Sequence, residues 1–179
     1  MDYNDVIEFW FNEIDSKQWW HKDPEFDRLI EDRFASLHEM AVRCELFQWR
    51  DSAHGRLAEI ILLDQFSRNI HRDTPMAFQH DPLALCLAQE AVARGIQKSL
   101  TDSQRSFLYM PFMHSESPRV HAVAAELFSE PEVALNLDSE LRHKEIIDRF
   151  GRYPHRNDIL DRKSTAEEIE FLQQPGSSF

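Results

Sequence analysis

Glycine is scarce in this chain, with four residues in 179. Few positions are therefore free to take left-handed or strained turns, which disfavours a turn-rich β architecture and favours helices. Cysteine is scarcer still. Cys44 and Cys86 lie in apolar helical patterns with no CxxC neighbour, so the expectation is two packed, reduced thiols in a cytoplasmic protein rather than a disulfide framework. The longest apolar run, residues 107–113, contains Pro111 and falls far short of the roughly 20 residues a helix needs to span a bilayer. The start, Met1-Asp2-Tyr3-Asn4-Asp5, is acidic where a secretory leader is basic and then apolar, so no leader is expected. Positive charge is the minority sign, with 20 Lys and Arg against 32 Asp and Glu and a net charge of −12. Nucleic acid and anionic membrane repel such a chain, and neither is an expected partner.

Several motifs of known chemistry are also missing. The sequence has no GxSxG elbow, no glycine-rich phosphate loop and no HExxH. Nine histidines are scattered without metal-ligand spacing, so His114, Glu116, His121 and His143 do not make a metal site by pattern, and no metal or cofactor is expected.

What the chain does have is helix punctuation. Asp23-Pro24, Asp81-Pro82 and Ser117-Pro118 each place a capping residue before proline, a helix start. Thr101 with Gln104, and Ser164 with Glu167 or Thr165 with Glu168, read as capping boxes. Phe26, Leu29, Ile30, Phe34, Leu37 and Ala41 recur at three-and-four spacing, the signature of an amphipathic helix. Gly55 is expected to open a helix over 56–69 that is apolar on nearly every side and hence central. Pro111 is expected to bend or end the helix that holds Phe107. Further helices are expected over residues 5–11, from Asp81 to Gly95, from Ser117 through Leu127, and over 138–150. Trp10, Phe11, Trp19 and Trp20 read as a packed N-terminal aromatic cluster. The prediction is an all-α domain of about eight helices over residues 1–172, with a frayed tail over 173–179.

Arginine dominates the basic residues, 15 against five lysines, which suits fixed bidentate pairing. Residues 63–72, LDQFSRNIHR, return at an offset of 84 as residues 147–156, IDRFGRYPHR. Asp, Phe, Arg, His and Arg are identical in the two copies. The offset also sets Asp81, an expected N-cap, opposite Thr165. In each copy an Asp precedes an Arg by four residues, which favours an ion pair on one helical face. The arginines fall at a helix C-terminus, where positive charge suits the dipole. A weaker echo at offset 50 sets His114 opposite Asp64, and the two echoes together suggest stacked antiparallel helical hairpins. Two readings of the repeated cluster stand side by side. Buried ion pairs could lock the loops onto the helix ends, or Asp64, Arg68, Arg72, Asp148, Arg152, His155 and Arg156 could form a pocket for a carboxylate or phosphate. Residues 142–163 hold seven Lys and Arg against four Asp and Glu, a local excess that supports the second. The loops after both copies are expected to enclose one polar cavity together with His114 and Glu116. Those two are the candidates for acid–base catalysis, a histidine beside a carboxylate being the usual arrangement.

The segments LLDQFSRNIHRDTPMAFQHD, FLYMPFMHSES, RFGRYPHRNDIL and STAEEIEFL, with FWF, WWHKDPEFD and Arg33-Phe34 before them, resemble the bacterial domain-of-unknown-function family 924 over almost the whole chain. The resemblance implies a tetratricopeptide-like helical fold and no particular reaction. Asp161 stands where that family usually carries glycine. Helical arrays of this kind commonly bind peptides or proteins in a groove, so a binding or scaffold module is the first functional expectation. A small-anion-binding protein or enzyme using the Arg/His/Asp cluster is the alternative.

Overall fold

The computed structural model describes residues 1–178. Among them there is no strand; the α-helices are α1 (Tyr3–Glu8), α2 (Pro24–Val42), α3 (Ala53–Ile61), α4 (Ser67–Ile70), α5 (Asp81–Ala93), α6 (Asp102–Met113), α7 (Pro118–Phe128), α8 (Leu137–Phe150) and α9 (Ala166–Leu172). A π-helical turn, Leu62–Phe66, joins α3 to α4 without a break, so α3, the turn and α4 form one central rod. Counted that way the described residues form eight rods, as the periodicity predicts. Every residue from 55 to 67 in the central rod is buried.

Local chemistry explains most of the boundaries. Asp23 accepts the Glu25 N–H at 2.8 Å and Pro24 occupies the first helical position, which starts α2. Phe26, Ile30, Phe34, Leu37 and Ala41 then face inward along one stripe. Thr101 with Gln104, and Thr165 with Glu168, form the reciprocal capping boxes of α6 and α9. Two boundaries differ from expectation. The central rod begins at Ala53 with Ser52 as its cap, and Gly55 lies inside its first turn, donating to Ser52 Oγ at 2.9 Å. Glycine is needed there for space: a Cβ would stand 2.1 Å from the Trp49 carbonyl oxygen. In α6 the helix continues through Pro111 to Met113 and closes on His114, whose N–H reaches the Met110 carbonyl at 3.0 Å. Proline removes one donor, and a terminal turn held by its neighbours tolerates that loss.

The rod packs against α1, α2 and α5, and α5–α6, α6–α7 and α7–α8 pack in sequence. The core is aromatic at its N-terminal side. Trp10 meets Phe66 and Phe107 edge-on at 5.4 and 5.6 Å, and Trp19 Nε1 donates to the Trp10 carbonyl; Trp20 lies at the exposed rim of this cluster. A small second cluster, Ile146, Ile147 and Tyr153, is packed by Phe150 and Phe171. The two thiols are not packed as expected. Cys44 leaves α2 in the left-handed region at φ +57, and Cys86 lies on the face of α5 away from Ala84, Ala88 and Ala91; both are exposed. Near the end of the chain Gly176 takes φ +79, and Ser177 turns inward to donate to the Leu172 carbonyl at 3.2 Å. The expected tail ends at Phe179, which lies outside the described residues. No helix among the described residues is long and apolar enough to cross a membrane.

Asp161 adopts φ +52, so the position where the resembling family carries glycine is one where an L-residue is strained. Replacing Gly55 by Ala is expected to cost about 1–3 kcal/mol through the forced Trp49 contact. Asp161→Gly is expected to stabilise the fold, by on the order of 0.5 kcal/mol, since relief of the left-handed strain exceeds the added freedom of the unfolded chain. Urea midpoints at unchanged slope check both.

Candidate functional site

The π-turn places Asp64 at 1% exposure in the middle of the rod. A buried carboxylate must be compensated, and this one has three donors around it. Arg68 Nη1 reaches Asp64 Oδ1 at 3.0 Å and its backbone carbonyl at 2.7 Å. Gln65 Nε2 donates to Oδ2 at 2.5 Å, and His114 Nδ1 lies 2.7 Å from Oδ1. Arg68 also binds Asp81 with both terminal nitrogens, each at 3.0 Å. Asp81 is not the N-cap that its sequence context suggests: His80 holds that position, without a side-chain cap bond, and Asp81 is the first residue of α5. A capping bond contributes about 1 kcal/mol, whereas two guanidiniums in a buried setting compete much more strongly for the carboxylate.

The second guanidinium is Arg156, carried by the short 3₁₀ turn Pro154–Arg156. It is only 6% exposed. Its Nη1 makes a long contact of 3.4 Å to Asp81 Oδ2, and its Nε is buried with no partner. The cation is supported instead by two aromatic faces, Phe78 and Tyr153, each 4.5 Å from the guanidinium carbon. Phe78 also receives Arg68 at 5.6 Å. Glu116 faces the same region but is occupied: Arg162 grips it with two bonds of 2.6 and 2.9 Å, and the Tyr153 N–H adds a third at 2.8 Å.

Burial pushes the Asp64 carboxyl up, but Arg68 and His114 outweigh it and hold the group ionised, below the ordinary range. For His114, burial and then Arg68 push the imidazole down against the pull of Asp64, so the ring is neutral at neutral pH. Its proton then sits on Nδ1, donated to Asp64, and Nε2 is left with a free lone pair. Burial lowers Arg156 below the usual guanidinium range, with Arg68 next in importance, yet a guanidinium stays charged through the physiological range.

Behind this site lies a fully buried pair. His121 Nε2 donates to the Ser115 carbonyl at 2.8 Å, and its Nδ1 lies 2.7 Å from Glu140 Oε1. Both side chains are inaccessible to solvent, and burial pushes the Glu140 carboxyl up. Tyr153 Oη, 3.1 Å from His121 Nε2, donates to the Met113 carbonyl at 2.5 Å. These bonds fix the end of α6, and so the position of His114, against α7, α8 and the loop after Gly151.

The two copies of the repeated motif have different fates. Asp148 is exposed and pairs with Lys144 rather than with an arginine, although a buried arginine partner is the expectation from its Asp-x-x-x-Arg register. Arg152 instead grips Glu168 at 2.6 and 2.7 Å. The cause is the residue after the shared phenylalanine. Ser67 keeps the rod helical through Ile70, whereas Gly151 takes φ +67 and ends α8, so Arg152 leaves the face that Asp148 occupies. In the first copy Arg72 turns away to Asp27, at 2.5 and 2.7 Å, and His71 rests on His38 with ring centroids 5.3 Å apart. His155 lies against Tyr153 with the rings tilted by 40° and centroids 5.6 Å apart. Of the residues expected to meet, the fold thus gathers Asp64, Arg68, His114, Glu116 and Arg156, and sends Arg72, Asp148 and Arg152 elsewhere. It adds Phe78, Asp81, Tyr153 and Arg162. Five of the gathered groups, Phe78, Asp81, His114, Glu116 and Arg156, border a groove of about 620 Å³ between the starts of α5 and α7, the end of α6 and residues 156–160, with Leu160 among its other walls. Among the described residues no group of three or more His, Cys, Asp or Glu side chains is placed to hold a metal ion.

A helical domain whose groove is bordered by His114 and the buried Arg156, backed by Asp64 and Arg68, is the class that fold and site define. The chain belongs to the bacterial family of proteins of unknown function DUF924, whose model matches residues 6–176. A solved structure of a protein of unknown function from Agrobacterium tumefaciens is similar to it, at 39% identity over 96% of each chain with a TM-score of 0.90. Among curated proteins none matches.

Asp64→Ala removes one of the two carboxylates that hold Arg68, together with the partner of His114, and is expected to cost about 3 kcal/mol, as for one partner removed from a buried pair. Asp148→Ala is expected to shift stability by no more than about 0.5 kcal/mol, as for an exposed pair. Equal denaturation midpoints for the two variants would contradict this assignment. A second expectation concerns acid. Burial holds His38 and His155 down to about 4 and His143 to about 3. The unfolded chain takes up these protons below about pH 6.5 and the fold does not. Stability is therefore complete above pH 6.5 and falls as pH drops toward 4, by up to about 1.4 kcal/mol per pH unit for each excluded proton. Urea melts at half-unit pH steps measure the slope, and a stability independent of pH across that window would be the contrary result.

Proposed function

We propose that this protein binds a small anionic molecule in the groove bordered by Arg156, with His114 as proton acceptor beside it. The observation that carries the reading is Arg156 itself: a buried guanidinium on the groove wall, with Nε unpartnered and one long contact to a carboxylate that Arg68 already holds. A cation so placed is poorly compensated by the protein, and a ligand carboxylate or phosphate would complete it. His114 adds chemistry. A carboxylate that fixes Nδ1–H orients the ring and leaves Nε2 as the base, the arrangement general-base catalysis uses. The same groove can therefore serve as a binding site alone or as the site of a proton transfer from the ligand, or from a water beside it.

The packing of α5 on α6, α6 on α7 and α7 on α8 supports a reading of the chain as stacked, tetratricopeptide-like hairpins, and a cytoplasmic location accords with that picture. A peptide or protein partner would then use the neighbouring apolar depression of about 370 Å³ beside Val92, Phe112, Val120 and Val123. Its charged lining residue, Arg119, is exposed, unlike the buried Arg156, so the small-anion reading stands first.

Thermal denaturation in the presence of millimolar phosphate, citrate or carboxylates from acetate to octanoate tests it, since a ligand of the native state raises the melting temperature by mass action. At least one anion is expected to raise the midpoint of the wild-type protein and to leave that of Arg156→Gln unmoved. A shift of equal size in both proteins would overturn the role given to Arg156, and no shift with any anion would overturn the site.

A further inference from the structure

We infer that the ligand of this groove is a monocarboxylate with an apolar body. The inference rests on the anion-site reading above and narrows it from anions in general to one class.

The first ground is charge. Asp64, Asp81 and Glu116 face Arg68, Arg156 and Arg162, three charges of each sign, with His114 neutral. The cluster thus has no net charge, although Arg156 meets an acid only through its long contact to Asp81. Its one yielding contact is the 3.4 Å approach of Arg156 to Asp81, because Asp81 keeps two bonds of 3.0 Å to Arg68 without it. Glu116 likewise keeps its two bonds to Arg162. One guanidinium edge can thus be released to the groove, and its planar fork matches a single carboxylate. A phosphate dianion or a citrate would carry further negative charge into a setting with no second cation to meet it, against Asp81 and Glu116 on the same walls, and uncompensated buried charge is costly.

The second ground is the wall. Away from the charged groups the groove is faced by Phe78, Pro82, Leu85, Pro111, Val120 and Leu160. Gln79, Ser115 and Ser117 are its neutral polar members, and the larger apolar part of the surface gains by covering carbon. The third ground is size. A groove of about 620 Å³ lies in the range of sites for ligands much larger than acetate, roughly 300–1,000 Å³. A carboxylate on Arg156 leaves the remaining volume to an apolar chain or ring.

Titration calorimetry at pH 7.5 with acetate, butyrate, hexanoate, octanoate and phenylacetate, alongside inorganic phosphate, citrate and the neutral hexanamide, tests the inference. Affinity is expected to rise about fourfold for each added methylene, the factor equivalent to about 0.8 kcal/mol per buried CH₂. Hexanamide and phosphate are expected to bind at least tenfold more weakly than hexanoate. Leu85→Asn is expected to flatten the chain-length dependence, and Arg156→Gln to remove the preference of hexanoate over hexanamide, with circular dichroism establishing that each variant is folded. Phosphate or citrate binding as tightly as octanoate, or an affinity that does not change with chain length, would overturn the monocarboxylate class and leave the anion site standing. No binding by any carboxylate, phosphate or citrate would overturn both.

Discussion

Arg68 is the side chain on which the arrangement of this molecule turns. It is fixed at one end by Asp64, on its own rod, and at the other by Asp81, the first residue of α5. One guanidinium therefore ties the interior of the central rod to the next helix and sets where the intervening residues 71–80 must run. Phe78, in that connection, is drawn over the cation and becomes the shared face on which Arg156 also rests. Asp64 has a second obligation in His114, at the end of α6. Three elements remote in sequence thus meet around one carboxylate and one guanidinium, since a buried charge is tolerated only when it is paired.

Much of this was legible in the sequence, and the illegible parts have specific physical reasons. Helix starts at Pro24, Asp102 and Ala166 follow from local capping chemistry, because a cap is decided by residues within one turn of each other, and the start at Pro118 follows from proline at the first helical position, Ser117 making no capping bond. The importance of Asp64, Arg68, His114, Glu116 and Arg156 could be read from residue type and spacing. Their companions could not. Asp81 carries the pattern of a cap and serves as an ion-pair partner, because arginines 13 residues before it and 75 residues after it reach it first. Phe78 lies in an irregular connection with no periodicity to mark it. Glu140 and His121 belong to amphipathic helices and look there like ordinary polar positions, yet both are fully buried; only the packing of α7 on α8 shows it.

The repeat is instructive for the same reason. Two stretches share Asp, Phe, Arg, His and Arg in register, yet only the first uses its Asp–Arg pair. The second is diverted one residue after its phenylalanine, where Gly151 ends the helix in the left-handed conformation. Its final arginine, freed from the helix, crosses to the first copy's neighbourhood and meets Asp81. The groove is assembled from unequal contributions: a helical Asp and Arg from one copy, a loop Arg from the other, and a histidine from between them.

The π-helical turn at Leu62–Phe66 gives the central rod a discontinuity of phase. Such a turn holds one residue more than the α-helical turn it replaces, so everything beyond it is rotated by about 100°, the advance of a single residue. Ser67, Arg68 and all that follows in α4 are therefore indexed to a different helical face from α3. A lineage that lost one residue within 62–66 could keep its hydrogen-bond ladder, and even gain regularity, while swinging Arg68 away from Asp81. The length of this short stretch is thus a more rigid inheritance than the identity of most side chains in it, and gaps in related chains should avoid it even where substitutions do not.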